Sequence, residues 1–192
     1  MKTTTDLPIM FFSTVQEWGD WLKQNHASSD GIWMKIAKKG SGVASVTYDQ
    51  ALEESLCFGW IDSQVKKFDD AFYIQRFGPR RSKSLWSKIN VQHIDRLMKA
   101  GKMKPAGIKV VEEAKKDGRW DVAYHSPSTM TMPEDFLKEL KSNKKAEVFF
   151  ETLNKSNKYI IAWQLQTAKK PETRVRRMIK IIGMLEKGEK FY

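Results

Sequence analysis

The chain has 192 residues and a formal net charge of +11, with 34 Lys and Arg against 23 Asp and Glu. Hydrophobic residues make up 41% and include seven Trp and ten Phe, which excludes a disordered chain and predicts a packed core. The single cysteine, Cys57, excludes an internal disulfide, and no apolar run approaches the roughly 20 residues that span a bilayer.

The N-terminal segment and the cysteine content indicate the compartment. Residues 1–5, followed by Asp6, lack the charged-then-apolar plan of a signal peptide. A lone thiol fits a reducing environment. We therefore expect a cytoplasmic protein without a transmembrane segment.

Two capping boxes predict helices in the first half of the chain. Ser13 with Gln16 predicts the start of a helix that runs to about Asn25. Thr47 with Gln50 predicts the start of a second, shorter helix. In both segments apolar residues recur at helical spacing, which predicts a buried stripe on each helix.

Strand patterns alternate with these helices. Residues 32–37 form an apolar run of strand length, and the Lys-Lys-Gly-Ser-Gly segment at 38–42 ends it as a turn. From residue 60 to 77 the period changes to two, with turn residues at 67–70, which predicts a β-hairpin. The order of elements in this half is helix, strand, helix, hairpin.

The second half is predicted to be helical apart from an irregular loop at residues 119–132. Pro105, Pro133 and Pro171 each stand at the start of a predicted helix, and Ser142 and Ser156 are predicted caps of two more. The helix after Pro171 is amphipathic. Its predicted apolar face consists of Val175, Met178, Ile179, Ile182 and Leu185.

These elements predict an α+β fold: a small, mostly antiparallel sheet of about three strands with covering helices, followed by an all-helical C-terminal half. We place an α+β subdomain at residues 1–86 and a helical subdomain at 87–192, with a C-terminal bundle at 133–192. The first part carries a net charge of +1 and the second +10. That asymmetry suggests a polyanionic partner, although lysines on outer helix faces also serve solubility alone.

The residues that usually carry chemistry form no catalytic or metal-binding pattern. His26, His93 and His125 stand in no ligand spacing with one another or with Cys57, so we expect no metal and no cofactor. Gly40-Ser41-Gly42 lacks the remaining residues of a phosphate loop and is interpreted as a hairpin-like turn. The protein is therefore interpreted as non-enzymatic.

Four segments interleave polar and aromatic residues densely: 57–63, 76–90, 117–124 and 168–177. Guanidinium groups and hydroxyls bind anions, and Trp rings can form the walls of such a site. The alternative is a buried structural network in which Arg pairs with Asp and Trp fills the junction. The predicted ligand-binding residues are Trp60, Arg76, Arg80, Arg81, Ser84, Trp86, Asn90, Arg119, Trp120, Tyr124, Arg174 and Arg177.

The same segments carry a family resemblance. The chain resembles the YdeI/OmpD-associated family of bacterial bacteriocin-protection proteins from about residue 12 to 187. The likeness rests on the motifs at 57–63, 76–90, 101–107, 117–124 and 172–177. It implies a role in tolerance of bacteriocins or cationic antimicrobial peptides and establishes no reaction, ligand or catalytic residue.

Three interpretations follow from these residues. The preferred one is a non-enzymatic protein that binds a small anionic ligand, with nucleic acid as the alternative partner. The second is an enzyme acting on a small phosphorylated or carboxylated substrate, with Asp62 or Asp121 as general base and arginines as clamps. The third assigns the same residues to structure alone.

Overall fold

The computed structural model describes residues 7–126, 129–168 and 170–191. The segment on which the signal-peptide argument rests, residues 1–6, and Lys169 of the basic segment at 168–177 lie outside the described residues. The strands are β1 (Ile9–Phe11), β2 (Ile32–Ala37), β3 (Trp60–Lys67) and β4 (Phe72–Pro79). The helices are α1 (Val15–Asn25), α2 (Tyr48–Cys57), α3 (Lys88–Lys99), α4 (Pro105–Lys116), α5 (Glu134–Ser142), α6 (Lys144–Thr152), α7 (Lys155–Gln166) and α8 (Pro171–Glu186).

This architecture confirms the α+β fold, with one sheet and a helical C-terminal half. The sheet has four described strands in the order β1-β2-β4-β3, rather than about three. The additional strand, β1, runs parallel to β2, whereas the other two pairings are antiparallel. A strand of three residues is too short to show a period-two pattern, so no local pattern predicted it. Among the helices of the described residues, none combines the length and apolar character that a membrane span requires.

The helix caps explain where the helices begin. The Thr47–Gln50 capping box is confirmed, with both of its reciprocal hydrogen bonds present. The predicted cap at Ser13 is wrong by one residue: Thr14 is the cap, and its hydroxyl accepts from the backbone N–H of Glu17.

Two further predicted caps are wrong. Asn143 and Asn154, not Ser142 and Ser156, cap α6 and α7. Each Asn side-chain oxygen accepts from the backbone N–H three residues ahead, which is the bond that a cap must make. Ser142 instead lies at the end of α5, where its hydroxyl donates to the Glu139 carbonyl.

The chain folds as two compact units. Unit 1 comprises Met1–Ser84 and Asn90–Asp121, and unit 2 comprises Leu85–Ile89 and Val122–Tyr192. These units differ from the sequence-based division at residue 86, which stays a prediction. Helix α4 groups with the sheet because the backbone N–H of Lys104, its N-cap residue, donates to the Cys57 carbonyl at the end of α2, at 3.0 Å.

An aromatic core fixes unit 1. Trp18 of α1 is fully buried and packs against Trp60 and Phe77 of the sheet, with ring centroids 6.1 and 5.9 Å apart. Its indole N–H donates to the carbonyl of Ala51 in α2, at 3.1 Å. Helices α1 and α2 are thereby held on one face of the sheet.

Unit 2 has a separate apolar core formed by α5 to α8. Phe136 and Phe150 meet edge to face at 5.8 Å, which joins α5 to α6. From α8, Ile181 and Leu185 are the buried members. The buried cluster comprises Phe136, Leu140, Ala146, Phe150, Leu153, Ile161, Leu165, Ile181 and Leu185.

Candidate functional site

The residues predicted to bind a ligand are divided between the two units. Unit 2 holds Trp86, Tyr124, Arg174 and Arg177. Unit 1 holds Trp60, Arg76, Arg80, Arg81, Ser84, Asn90, Arg119 and Trp120, together with the two acids Asp62 and Asp121.

Two of the predicted tryptophans lie in the protein interior. Trp60 is 1% exposed, and its indole N–H donates to the His26 carbonyl at 3.1 Å. Trp86 is 2% exposed, and its carbonyl accepts the Tyr124 backbone N–H at 2.9 Å. Neither ring presents a face to solvent, so neither serves as the wall of an open site in this structure. Trp120 is half-buried, with the Lys115 ammonium 5.1 Å from its ring centroid.

Two of the predicted arginines form ion pairs within their own units. The buried guanidinium of Arg119 donates to both carboxylate oxygens of Asp117, at 2.8 and 2.7 Å, and to the Ser84 carbonyl at 3.2 Å. Arg174 makes a two-pronged ion pair with Asp135. Through these contacts both arginines join parts of their own unit, as the interpretation of a buried structural network expects.

Other predicted arginines also contact neighbouring groups. Arg177 donates to the Gln164 carbonyl at 2.6 Å. Arg76 donates to the Ser63 hydroxyl at 3.2 Å, and Arg80 is buried, with its backbone N–H bound to the Gly59 carbonyl. Arg81 is exposed. The Arg- and Trp-rich site stays a prediction.

The two predicted acids differ sharply in environment. Asp121 is exposed, whereas Asp62 is half-buried and accepts a 2.9 Å hydrogen bond from the Tyr48 hydroxyl. Burial raises the pKa of the Asp62 carboxyl, and the Tyr48 hydrogen bond and the charge of Arg80 oppose that rise. Burial and the nearby Asp62 charge also raise the pKa of the Tyr48 phenol. In this pair the Tyr48 phenol is neutral and donates a hydrogen bond to an oxygen of the Asp62 carboxyl group.

Tyr48 also lines a cavity that no sequence pattern predicted. The cavity has a volume of about 670 Å³. We call it the loop cavity, because most of its lining comes from the segment between β2 and α2. Its lining consists of residues 36–45, Thr47 and Tyr48, and Tyr73 of β4.

Backbone conformation and hydrogen bonds shape this loop. Gly40 and Gly42 have φ values of +85° and +74°, in the region that favours glycine. The Ser45 hydroxyl accepts from the Ala37 backbone N–H at 3.0 Å and donates to the Val46 carbonyl at 3.1 Å. The bond from Ala37, the last residue of β2, to Ser45 thus holds the two ends of the loop together.

The charges around the loop cavity are unequally distributed. Lys38 and Lys39 are exposed at one end, and the Lys38 ammonium donates to the Asp69 carbonyl at 2.7 Å. Burial and the nearby Asp49 carboxylate raise the pKa of the phenol of Tyr73, another lining residue. An anionic group entering the cavity is therefore attracted by the two lysines and repelled by the Asp49 carboxylate.

The sequence contained part of this signal. Gly40-Ser41-Gly42 follows two lysines and precedes a capping box, but without a phosphate-loop pattern it was interpreted only as a turn. Tyr73 completes the wall from a strand more than 25 residues further along the chain. Only the pairing of β2 with β4, which places Tyr73 beside Ile36, brings that side chain to the loop.

Two family models match successive parts of this chain. A family model described as a domain of unknown function (DUF8412) matches residues 10–110, more than half of the chain. A second model, described as bacteriocin-protection, YdeI or OmpD-associated, matches residues 129–188. No curated protein and no solved structure gives a significant match.

Proposed function

This chain belongs to the DUF8412 family, and because its residues 129–188 match the bacteriocin-protection, YdeI or OmpD-associated model, we propose that it contributes to bacteriocin tolerance as a cytoplasmic, non-enzymatic binding protein. Its ligand is a small anionic molecule with an apolar or aromatic body. The binding site is the loop cavity of unit 1, and the observation that carries the proposal is the pairing of a lysine end with a tyrosine-lined wall.

The lining of the cavity supports this class of ligand. A volume of about 670 Å³ lies within the range of small-molecule sites. Ile36, Val43 and Ala44 supply apolar surface, and the rings of Tyr48 and Tyr73 supply aromatic surface. Such a wall favours a ligand with an apolar body over a bare inorganic ion.

The charges of the cavity support an anion and binding without catalysis. Neither Lys38 nor Lys39 takes part in an ion pair within the described residues, so both charges are available to a ligand. The described lining residues include no carboxylate and no histidine, the side chains that most often act as general bases. Asp62, the predicted base, binds Tyr48 behind the wall rather than lining the cavity.

Phenyl phosphate and phenol, two probes with the same ring and different charge, test this proposal. Ligand binding stabilises the native state by RT ln(1 + [L]/Kd), about 2.7 kcal/mol at a concentration 100 times Kd. We expect phenyl phosphate to raise the melting temperature and phenol to leave it nearly unchanged. The double variant Lys38→Gln/Lys39→Gln should lose most of the phenyl phosphate effect.

Lys66→Gln/Lys67→Gln is the matched control, because it removes the same charge from strand β3, outside the cavity lining. It should respond to phenyl phosphate like the parent. If both double variants lose the phenyl phosphate effect equally, only the net charge of the protein matters. If phenol stabilises the parent as much as phenyl phosphate does, the ligand need not be an anion. In cells, the Lys38→Gln/Lys39→Gln variant should reduce bacteriocin tolerance at unchanged protein level.

A second candidate function, binding of single-stranded nucleic acid, rests on the face of the sheet opposite α1 and α2. The strand registers align Phe11, Lys35, Ile74 and Lys66 in one row across all four strands. The Lys35 ammonium lies 4.3 Å from the ring centroid of Phe72. Rings interleaved with cations are what single-stranded nucleic acids bind.

A salt titration of single-stranded DNA binding decides this second candidate. Each phosphate contact contributes a slope of ~0.7 in log affinity against log salt concentration, so Lys35→Gln/Lys66→Gln should reduce the slope by about 1.4. Lys38→Gln/Lys39→Gln serves as the charge-matched control and should retain the slope. Absence of binding at low salt would eliminate this function.

A further inference from the structure

The last helix of unit 2, α8, carries exposed apolar residues in addition to those that pack in the core of the unit. Val175 and Ile179 were predicted to belong to its apolar face, but they are 56% and 68% exposed. The fully buried residues of α8 are Ile181 and Leu185, one helical turn apart on an adjacent strip. An apolar strip beside the one that fills the core is therefore left open on this helix.

This strip forms one wall of a groove of about 460 Å³, which we call the α5–α8 groove. Its lining residues are Glu139 from α5 and Val175, Met178, Ile179, Ile182, Gly183 and Glu186 from α8. The α8 members recur at intervals of three and four residues, the spacing with which a groove receives the side chains of a second helix.

The charge of the α5–α8 groove is opposite to that of the protein. Its lining holds two carboxylates, Glu139 and Glu186, and no cation, on a chain whose net charge is +11. Neither carboxylate belongs to an ion pair of the described residues. The neighbouring hollow of about 510 Å³ also contains Glu186 but adds Lys144, Lys145 and Lys187.

An ion pair with Asp135 neutralises the positive charge of Arg174. Arg174 of α8 is bound two-pronged by Asp135 of α5, and burial opposes but does not cancel the lowering of the Asp135 pKa by this arginine. Arg177 donates to the Gln164 carbonyl of α7. These contacts also join the start of α5 to α8, which holds the two walls of the groove in place.

Gly183 gives the groove its open floor. A Cβ built on Gly183 meets no atom within 4 Å, so no packing within the described residues requires glycine there. Glycine inside a helix destabilises it by roughly 0.5–1 kcal/mol relative to alanine. An approaching helix backbone is the element that benefits from a missing side chain at this point.

We propose that the α5–α8 groove binds an amphipathic helix of a partner protein or peptide whose apolar stripe is flanked by lysine or arginine. The stripe packs on Val175, Ile179 and Ile182, and its backbone approaches at Gly183. The flanking cations pair with Glu139 and Glu186. This site lies wholly in unit 2 and is independent of the loop cavity.

Two synthetic peptides of about 18 residues, five helical turns, test the partner's charge. One carries leucine on one face and lysine on the other, and the second replaces every lysine with glutamate. By net charge alone the protein repels the first and attracts the second. We expect the opposite at about 0.15 M salt: fluorescence anisotropy should show binding of the lysine peptide and at least tenfold weaker binding of the glutamate peptide.

Two protein variants locate the binding. Gly183→Leu places a side chain in the groove at a position where a Cβ meets no atom within 4 Å, and Glu139→Gln/Glu186→Gln removes the charge of the groove. Each should weaken binding of the lysine peptide by about tenfold or more. The control Glu112→Gln/Glu113→Gln makes the same charge change on exposed positions of α4 and should bind like the parent. Melting temperatures no lower than that of the parent show that the variants fold.

Three results would overturn the proposal. The first is tighter binding of the glutamate peptide. The second is a lysine-peptide affinity that is the same in the parent, Gly183→Leu and Glu139→Gln/Glu186→Gln. The third is self-association of the parent, seen by sedimentation velocity and lost in Gly183→Leu, because a second copy of the chain would then be the occupant of the groove.

Discussion

The loop cavity of unit 1 and the α5–α8 groove of unit 2 have opposite charge on one basic chain. The loop cavity presents Lys38 and Lys39 at one end, and the groove presents Glu139 and Glu186. Both have apolar walls. The net charge of +11 therefore predicts the charge of neither site, because each site is determined by the few side chains that line it.

The two units also differ in how closely their helices approach. Gly107 of α4 lies against α2 of unit 1, where an added Cβ would be 2.2 Å from the Cys57 carbonyl oxygen. A Cβ added to Gly183 of α8 in unit 2 would meet no atom within 4 Å. One glycine is required by backbone-to-backbone packing, and the other leaves a surface open.

The largest effect is expected from Gly107→Ala. The new Cβ cannot be accommodated without moving α4 away from α2, so we expect a loss of about 4 kcal/mol or more in the free energy of unfolding. Denaturant unfolding followed by tryptophan fluorescence measures it. A loss below about 1 kcal/mol would show that α4 is not held by this contact.

The next effect concerns Arg119, which lies in unit 1 with its guanidinium buried against Asp117 and the Ser84 carbonyl. Arg119→Ala leaves that carbonyl without this donor, and we expect a loss of about 1–3 kcal/mol, since Asp117 itself is half exposed. Arg81→Ala, at an exposed position, is the control and should change stability by less than about 0.5 kcal/mol. Equal effects would contradict the structural use of Arg119.

The free energy of unfolding should depend on pH in opposite ways through two aspartates, Asp62 of unit 1 and Asp135 of unit 2. Burial raises the native pKa of Asp62, so its contribution to stability grows as pH falls from neutral through that raised value. The Arg174 pair lowers the native pKa of Asp135, so its contribution is complete above the ordinary pKa of aspartate and is lost as pH falls through the lowered value.

Asp62→Asn and Asp135→Asn should therefore diverge from the parent in opposite directions on acidification. Relative to the parent, Asp62→Asn becomes less stable and Asp135→Asn becomes more stable, by about 1 kcal/mol or less in each case. Unfolding measured at pH 7, 5, 4 and 3 checks the signs. Changes of the same sign in both variants would mean that the two environments are not distinct.

The smallest effect is expected at the open glycine of unit 2. Gly183→Ala should raise the free energy of unfolding by about 0.5–1 kcal/mol, because alanine favours the helix and meets no atom. Denaturant unfolding measures this gain. A loss of stability would mean that the space beside Gly183 is filled in solution.

The fold was more predictable from the sequence than either site. Strand β2, the Thr47–Gln50 cap and the hairpin each rest on residues close together in the chain, so local patterns indicate them. Strand β1 was missed because its three residues show no periodicity. It forms by pairing with β2, which lies more than 20 residues away.

The sites were less predictable because their residues converge only through tertiary structure. The interleaved aromatic motifs drew attention to Trp60 and Trp86, but these rings are buried. Spacing alone cannot tell an aromatic residue in the core from one in a binding wall. Likewise, the periodicity of α8 indicated one apolar face, and only the structure separates the buried Ile181 and Leu185 from the open Val175 and Ile179.

Binding of both ligands to both site variants shows whether the two sites of opposite charge act independently on one chain. Phenyl phosphate and the lysine peptide are titrated by calorimetry against the parent, Lys38→Gln/Lys39→Gln and Glu139→Gln/Glu186→Gln. We predict that each variant loses only its own ligand, by about tenfold or more. If either variant loses both ligands, or if both variants keep both ligands, the loop cavity and the α5–α8 groove are not two independent sites for these ligands.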